Sequence, residues 1–112
     1  MIAERIAVRE WNREHLVRAA DIAWIESDDN YVIVQVAGRV LKGRGRISEL
    51  ETRLDPTRFV RIHRSAIVSR ERIREVRALA KGDLAVLMDD GKMLRVARTR
   101  RAVLEGLLGG RC

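Results

Sequence analysis

Apolar and polar residues alternate most strictly from Tyr31 to Val36, with Val32, Val34 and Val36 on one face and Tyr31, Ile33 and Gln35 on the other. A period of two marks a half-buried strand. Ala37-Gly38 is a turn pair and Arg39-Val40-Leu41 the return, so a hairpin is expected. Upstream, Glu4 to Trp11 alternates loosely around Ile6 and Val8 and reads as an opening strand, with Asn12-Arg13-Glu14-His15 as the turn after it. Asp21 to Glu26 reads as a short apolar strand ending in the polar tip Ser27-Asp28-Asp29-Asn30. Ser48-Glu49-Leu50-Glu51 has the pattern of a capping box, which opens a short helix. Ile47, Leu50 and Leu54 share one face of that helix, and Asp55-Pro56 ends it.

Further on, Ile73 to Leu79, Leu84 to Met88 and Met93 to Val96 read as strands, with Lys81-Gly82-Asp83 as a turn. Asp-Gly within Asp89-Asp90-Gly91-Lys92 is a strong hairpin signal between the last two. Ala102 to Leu108 has the pattern of a short amphipathic helix closed by Gly109-Gly110. The expected fold class is therefore mainly β, short antiparallel strands with one or two brief helices. One domain is expected over residues 1–112, its core about 4–108.

The stretch from Phe59 to Ile73 mixes two demands. Phe59, Val60, Ile62, Ile67, Val68 and Ile73 are core volume, while Arg61, His63, Arg64, Ser65, Arg70 and Arg72 are threaded between them. Charged groups are not buried unpaired without a large cost. The stretch thus suits either a rigid element presenting donors at the surface or a half-buried strand with an arginine-rich outer face. Charge elsewhere favours the former. The formal net charge is +7, and apart from Lys42, Lys81 and Lys92 the cations are arginines. They gather at Lys42–Arg46, Arg61–Arg72 and Arg95–Arg101, whereas the acids are denser in the first thirty residues and in the hairpin tips. Arginine's planar fork matches phosphates and guanine edges, so a polyanion is the leading partner class, nucleic acid ahead of a membrane surface.

Other chemistry is poorly supplied. Cys112 is the only cysteine, which excludes an internal disulfide or a cysteine-based zinc site and fits a reducing, cytoplasmic setting. No signal-peptide h-region or membrane-length apolar run is present. With His15, His63 and Cys112 alone, no catalytic set assembles, so no enzyme activity, metal or cofactor is expected. Aromatic residues are 4% of the chain, which disfavours RNA binding by stacking, and Trp24 and Tyr31 read as core or half-core.

Taken together, Asp21-Ile22, Asn30-Tyr31-Val32, Leu50, Phe59 through Ser65, Ile67-Val68-Ser69, Asp90-Gly91 and Ala97-Arg98 resemble, in order and spacing, the LytTR domain. This is the DNA-binding module of LytR/AlgR-type bacterial response regulators. The resemblance runs from about Glu4 to Leu108, and its most specific part is Phe-Val-Arg-Ile-His-Arg-Ser at Phe59–Ser65. Two positions depart from the family: Ser69 stands where asparagine is usual, and Ala97 where serine is usual. The resemblance implies an elongated stack of small antiparallel sheets that enters duplex DNA with loops at Asp28–Asn30, His63-Arg64-Ser65 and Arg98-Thr99. It also implies two direct repeats as the target. Family members usually carry an N-terminal receiver domain, so the chain is expected to be either a stand-alone module or a fragment of a regulator with a receiver or sensor domain.

On that basis Asn30, Arg64 and Arg98 are assigned to bases, because arginine on guanine and an amide on adenine are the common specific contacts. A phosphate clamp is the alternative for the arginines, and a turn-forming role for Asn30. Lys42, Arg44, Arg46, His63, Ser65, Thr99, Arg100 and Arg101 are assigned to the DNA backbone, where contacts position without reading sequence. The glycines between Lys42, Arg44 and Arg46 could admit a phosphate or simply form a turn. A basic protein- or RNA-interaction module is the alternative to DNA binding.

Overall fold

Val32, Val34 and Val36 are buried to within 4% exposure and lie on one face of β4 (Tyr31–Val36), as the alternation implies. The computed structural model describes residues 2–107. Its strands are β1 (Arg5–Glu10), β2 (Arg13–Arg18), β3 (Ile22–Asp28), β4, β5 (Arg39–Arg44), β6 (Phe59–His63), β7 (Ala66–Ser69), β8 (Ile73–Ala78), β9 (Leu84–Met88) and β10 (Met93–Val96). The helices are α1 (Ile47–Glu51) and α2 (Arg101–Leu107), with a 3-10 turn at Arg98–Arg100 leading into α2. A seven-stranded antiparallel sheet in the order β2-β1-β5-β4-β3-β7-β6 packs against a three-stranded sheet ordered β10-β9-β8. The long axis is 46 Å against 25 and 24 Å, an elongated body.

The larger sheet is apolar on both faces where the smaller sheet covers it. Ile6, Val8, Val17, Ile25, Val34, Leu41 and Ile67 form one core with Leu50 and Leu54 from α1 and the segment after it. Trp24, Val60, Ile62 and Val68 form a second with Val86, Met88, Leu94 and Val96 of the smaller sheet and Leu104 of α2. Double coverage explains why Ile22-Ala23-Trp24-Ile25 and Ala66-Ile67-Val68 are continuous apolar runs and do not alternate.

Four local expectations are corrected. The turn expected at Asn12–His15 is instead Trp11-Asn12, and residues from Arg13 onward pair with β1, Arg13 with Glu10 and His15 with Val8. β2 is an edge strand with one solvated face, so its polar sequence is no obstacle to pairing. Asp28 and Ser27 belong to β3, which shrinks the polar tip to Asp29-Asn30. Ser48 does not cap α1: Arg46 holds the N-cap position and no side-chain cap bond forms. The glycine-containing run after Leu41 is strand as far as Arg44 and not a turn, and packing within the protein itself requires Gly43. A Cβ there would stand 2.6 Å from the Arg9 carbonyl oxygen and 2.7 Å from Val8, so β1 closes onto β5 only over a glycine.

Helix α1 also ends at Glu51, so Leu54 lies beyond it and ahead of Asp55-Pro56, while the hairpins expected around Ala37-Gly38 and Asp90-Gly91 form. The Phe59–Ile73 stretch is a hairpin, β6 and β7 joined at Arg64-Ser65, and then a 3-10 turn. Trp24 is core at 5% exposure, whereas Tyr31, expected as core or half-core, is exposed at the start of β4. The expected end of the last helix at Leu108 and its glycine closure lie outside the described residues. No helix among the described residues is long and apolar enough to cross a membrane.

Candidate nucleic-acid interface

Three turns that carry the assigned residues are tied in series by backbone hydrogen bonds. The Ser27 N–H donates to the Ser65 carbonyl at 2.9 Å, which sets the β3–β4 tip beside the β6–β7 turn. The Gly45 N–H donates to the Asn30 carbonyl at 3.0 Å, bringing the end of β5 to the same tip. On the other side, the Ala97 N–H donates to the Ile62 carbonyl at 2.7 Å, so the Arg98–Arg100 turn starts from β6 one residue before His63. Asn30, Arg64 and Arg98 are therefore presented from neighbouring turns, and all three are exposed.

The middle turn is the most heavily braced. Ile62 is bulged: Arg61 pairs with Ile67 and His63 with Ala66, leaving Ile62 unopposed. A bulge bends its strand and re-aims the residues beyond it. Arg61 crosses this bend with its guanidinium. Its Nε donates to the His63 carbonyl at 2.8 Å, one terminal nitrogen to the Arg64 carbonyl, and the other to Glu51 Oε1 at 2.5 Å. His63 and Ser65 close the turn from inside. The Ser65 N–H donates to His63 Nδ1 at 3.2 Å and the Ser65 hydroxyl lies 2.8 Å from the same nitrogen. An Nδ1 that accepts leaves Nε2–H as the donor of the neutral ring. His63 and Ser65 thus have structural partners in addition to any phosphate, while the Arg64 guanidinium has no carboxylate within ion-pair distance among the described residues.

The flanking cations differ in how free they are. Lys42 and Arg44 project from one side of β5; Lys42 lies 3.3 Å from Asp28 and 5.1 Å over the Tyr31 ring, and Arg44 6.0 Å from that ring. Arg46 is exposed at the start of α1. Arg98 is held by Asp83, Nη2 to Oδ1 at 3.1 Å, and Arg95 reaches the other oxygen at 3.7 Å. Thr99 is exposed and Arg100 half-buried. Arg101 is half-buried and donates to the Gly82 carbonyl. Ala97 occupies the N-cap position before the Arg98 turn, and no side-chain cap bond is made there.

Sequence reasoning did not find the partnerships of Arg61 with Glu51 or of Arg98 with Asp83. Each joins different elements, and no local spacing signals either. Among the described residues no group of three or more His, Cys, Asp or Glu side chains is placed to hold a metal ion.

Comparison with known proteins agrees with this architecture. The chain is 28% identical over 97 residues to the sensory transduction protein LytT of Enterococcus faecalis, covering 87% of this chain and 40% of that one. It is 34% identical over 93 residues to the CO-responsive transcriptional regulator RcoM of Rhodospirillum rubrum, covering 82% and 39%. The chain thus spans about two fifths of the length of the curated relatives it matches. A solved LytTr DNA-binding domain from Bacillus cereus superposes with a TM-score of 0.83 at 20% identity, covering 96% of this chain and 98% of that one. The model of the LytTr DNA-binding domain matches residues 12–109, and the chain belongs to that family.

Proposed function

We propose that this chain is the effector module of a bacterial transcriptional regulator and that it binds duplex DNA with a sequence preference. In this reading the turns at Asp28–Asn30, His63–Ser65 and Arg98-Thr99 enter successive grooves. Arg64, Arg98 and Asn30 meet bases, and Lys42, Arg44, Arg46, His63, Ser65, Thr99, Arg100 and Arg101 meet the backbone. The observation that carries it is the braced Arg64 turn: an exposed guanidinium, without a carboxylate partner among the described residues, on a backbone held at two carbonyls by Arg61, which Glu51 anchors in turn. A held guanidinium can discriminate base edges, whereas a mobile one follows phosphates. Family membership and the three turns tied together by backbone bonds support the same reading.

Residues 1–112 act as one non-catalytic, cytoplasmic module with no cofactor. It is a monomer off DNA and pairs on two direct repeats, under a receiver or sensor domain in the same protein. Binding-site selection on random duplex DNA, with titration at several salt concentrations, tests this. With roughly 4–8 phosphates neutralised, the log–log salt slope is expected near −4 to −7, at about −0.9 per phosphate. An enriched motif with that slope supports the reading. A flat salt response, or tighter binding to RNA or an acidic polypeptide than to any duplex, overturns it.

A further inference from the structure

Arg61 stands out as a charged side chain that the proposed interface leaves unassigned. It lies in the arginine cluster, yet its side chain is only 12% exposed and all its contacts are internal. Two of its acceptors are consecutive backbone carbonyls, those of His63 and Arg64, on the turn that presents Arg64. The third is the carboxylate of Glu51, at the end of α1. The guanidinium plane therefore joins α1 to the turn across the bulge at Ile62.

We propose that Arg61 is a positioning residue that sets the base preference of the Arg64 turn without touching DNA, with Glu51 as its anchor. This rests on the reading of Arg64 as a base contact. The chemistry selects arginine. Its rigid fork of donors can serve two carbonyls and a carboxylate at once, whereas a lysine ammonium is a single point on a flexible stem. Glu51 neutralises the charge and fixes the plane, so the remaining donors point at the turn. Loss of the fork frees the backbone at Arg64, and a guanidinium displaced by a fraction of an ångström no longer satisfies two base atoms together.

The test uses Arg61→Lys, Glu51→Gln, Arg64→Ala and the double variant Arg61→Lys/Arg64→Ala. Affinities are measured for the selected duplex and a scrambled duplex at fixed salt, with thermal melting of each protein. Arg61→Lys keeps the charge, so scrambled-duplex affinity and the salt slope are expected to hold, while discrimination falls about tenfold. Glu51→Gln is expected to lower discrimination in the same direction by less, because an amide oxygen still accepts. In the Arg64→Ala background, Arg61→Lys is expected to cost no further discrimination, since it acts through Arg64. Three results overturn the proposal: unchanged discrimination in Arg61→Lys, an equal fall on both duplexes with a shallower salt slope, and a further loss of discrimination in the double variant. A purely structural role would appear as a lower melting temperature with discrimination intact, and that too contradicts the proposal. If the wild-type protein discriminates between no duplexes at all, it is the DNA-reading function that fails, which the same titrations show separately.

Discussion

Asp83 holds Arg98 in the free protein: the carboxylate lies 3.1 Å from the arginine whose turn comes after β10. The two residues are fifteen positions apart and come together because β9 and β10 form a hairpin whose base places Asp83 beside the Arg98 turn. Arg95 shares the same carboxylate at 3.7 Å. In the proposed complex, DNA competes with Asp83 for Arg98.

Asp83→Asn should accordingly raise affinity for duplex DNA of any sequence. Exposed ion pairs of this kind are worth about 0–1 kcal/mol, so the gain should be about two- to fivefold. Titration of the variant and the wild type with a scrambled duplex at low salt measures it. Equal or weaker binding would show that the carboxylate orients the arginines for DNA and does not withhold them.

Ala97→Ser should stabilise the Arg98 turn. Ala97 has extended backbone angles, φ −65° and ψ 144°, at the N-cap position, where a hydroxyl can accept the free N–H groups of the first turn. The gain should be about 0.5–1 kcal/mol, and amide exchange at Thr99 and Arg100 should slow by a matching factor. Unchanged exchange would mean that the serine rotates away from the turn.

Gly43→Ala should destabilise the fold by about 1–3 kcal/mol, because the added carbon overlaps the Arg9 carbonyl and Val8, and backbone cannot move aside as a side-chain tip can. Thermal or urea unfolding measures the loss. A neutral result would show that β1 can separate from β5 at no cost.

The fold was legible in the sequence where a signal is local, and hidden where it is not. β4 was readable because Val32, Val34 and Val36 alternate with less buried partners, and the β9–β10 hairpin because Asp90-Gly91 sits between apolar runs. The turn at Trp11-Asn12 was not, since a tight turn led by a tryptophan at φ 26° lacks the usual glycine or asparagine at that position. Ser48 misled because a capping-box spelling does not weigh the burial of Ile47, which lies inside the helix and leaves the N-cap two residues earlier, at Arg46. At the interface, the order of residues around Phe59–Ser65 pointed to the turn and to Arg64. Long-range contacts decided the rest. Arg61 became an internal brace, Arg101 was drawn to Gly82, and Arg98 was given a carboxylate, and none of these is a property of local spacing.

The most direct measurement compares Arg64→Ala with Arg44→Ala on a selected and a scrambled duplex at fixed salt, after both variants are shown to be folded. Both arginines are exposed and neither pairs with a carboxylate among the described residues, so charge alone makes them equivalent. The braced turn makes them different. Arg64→Ala should cost about 1–3 kcal/mol on the selected duplex, little of it on the scrambled one, and relax preference at one base pair. Arg44→Ala should weaken both duplexes by the same factor and lower the salt slope by about one phosphate. If Arg64→Ala also lowers both affinities by one common factor, Arg64 is a phosphate contact and the braced turn does not read sequence.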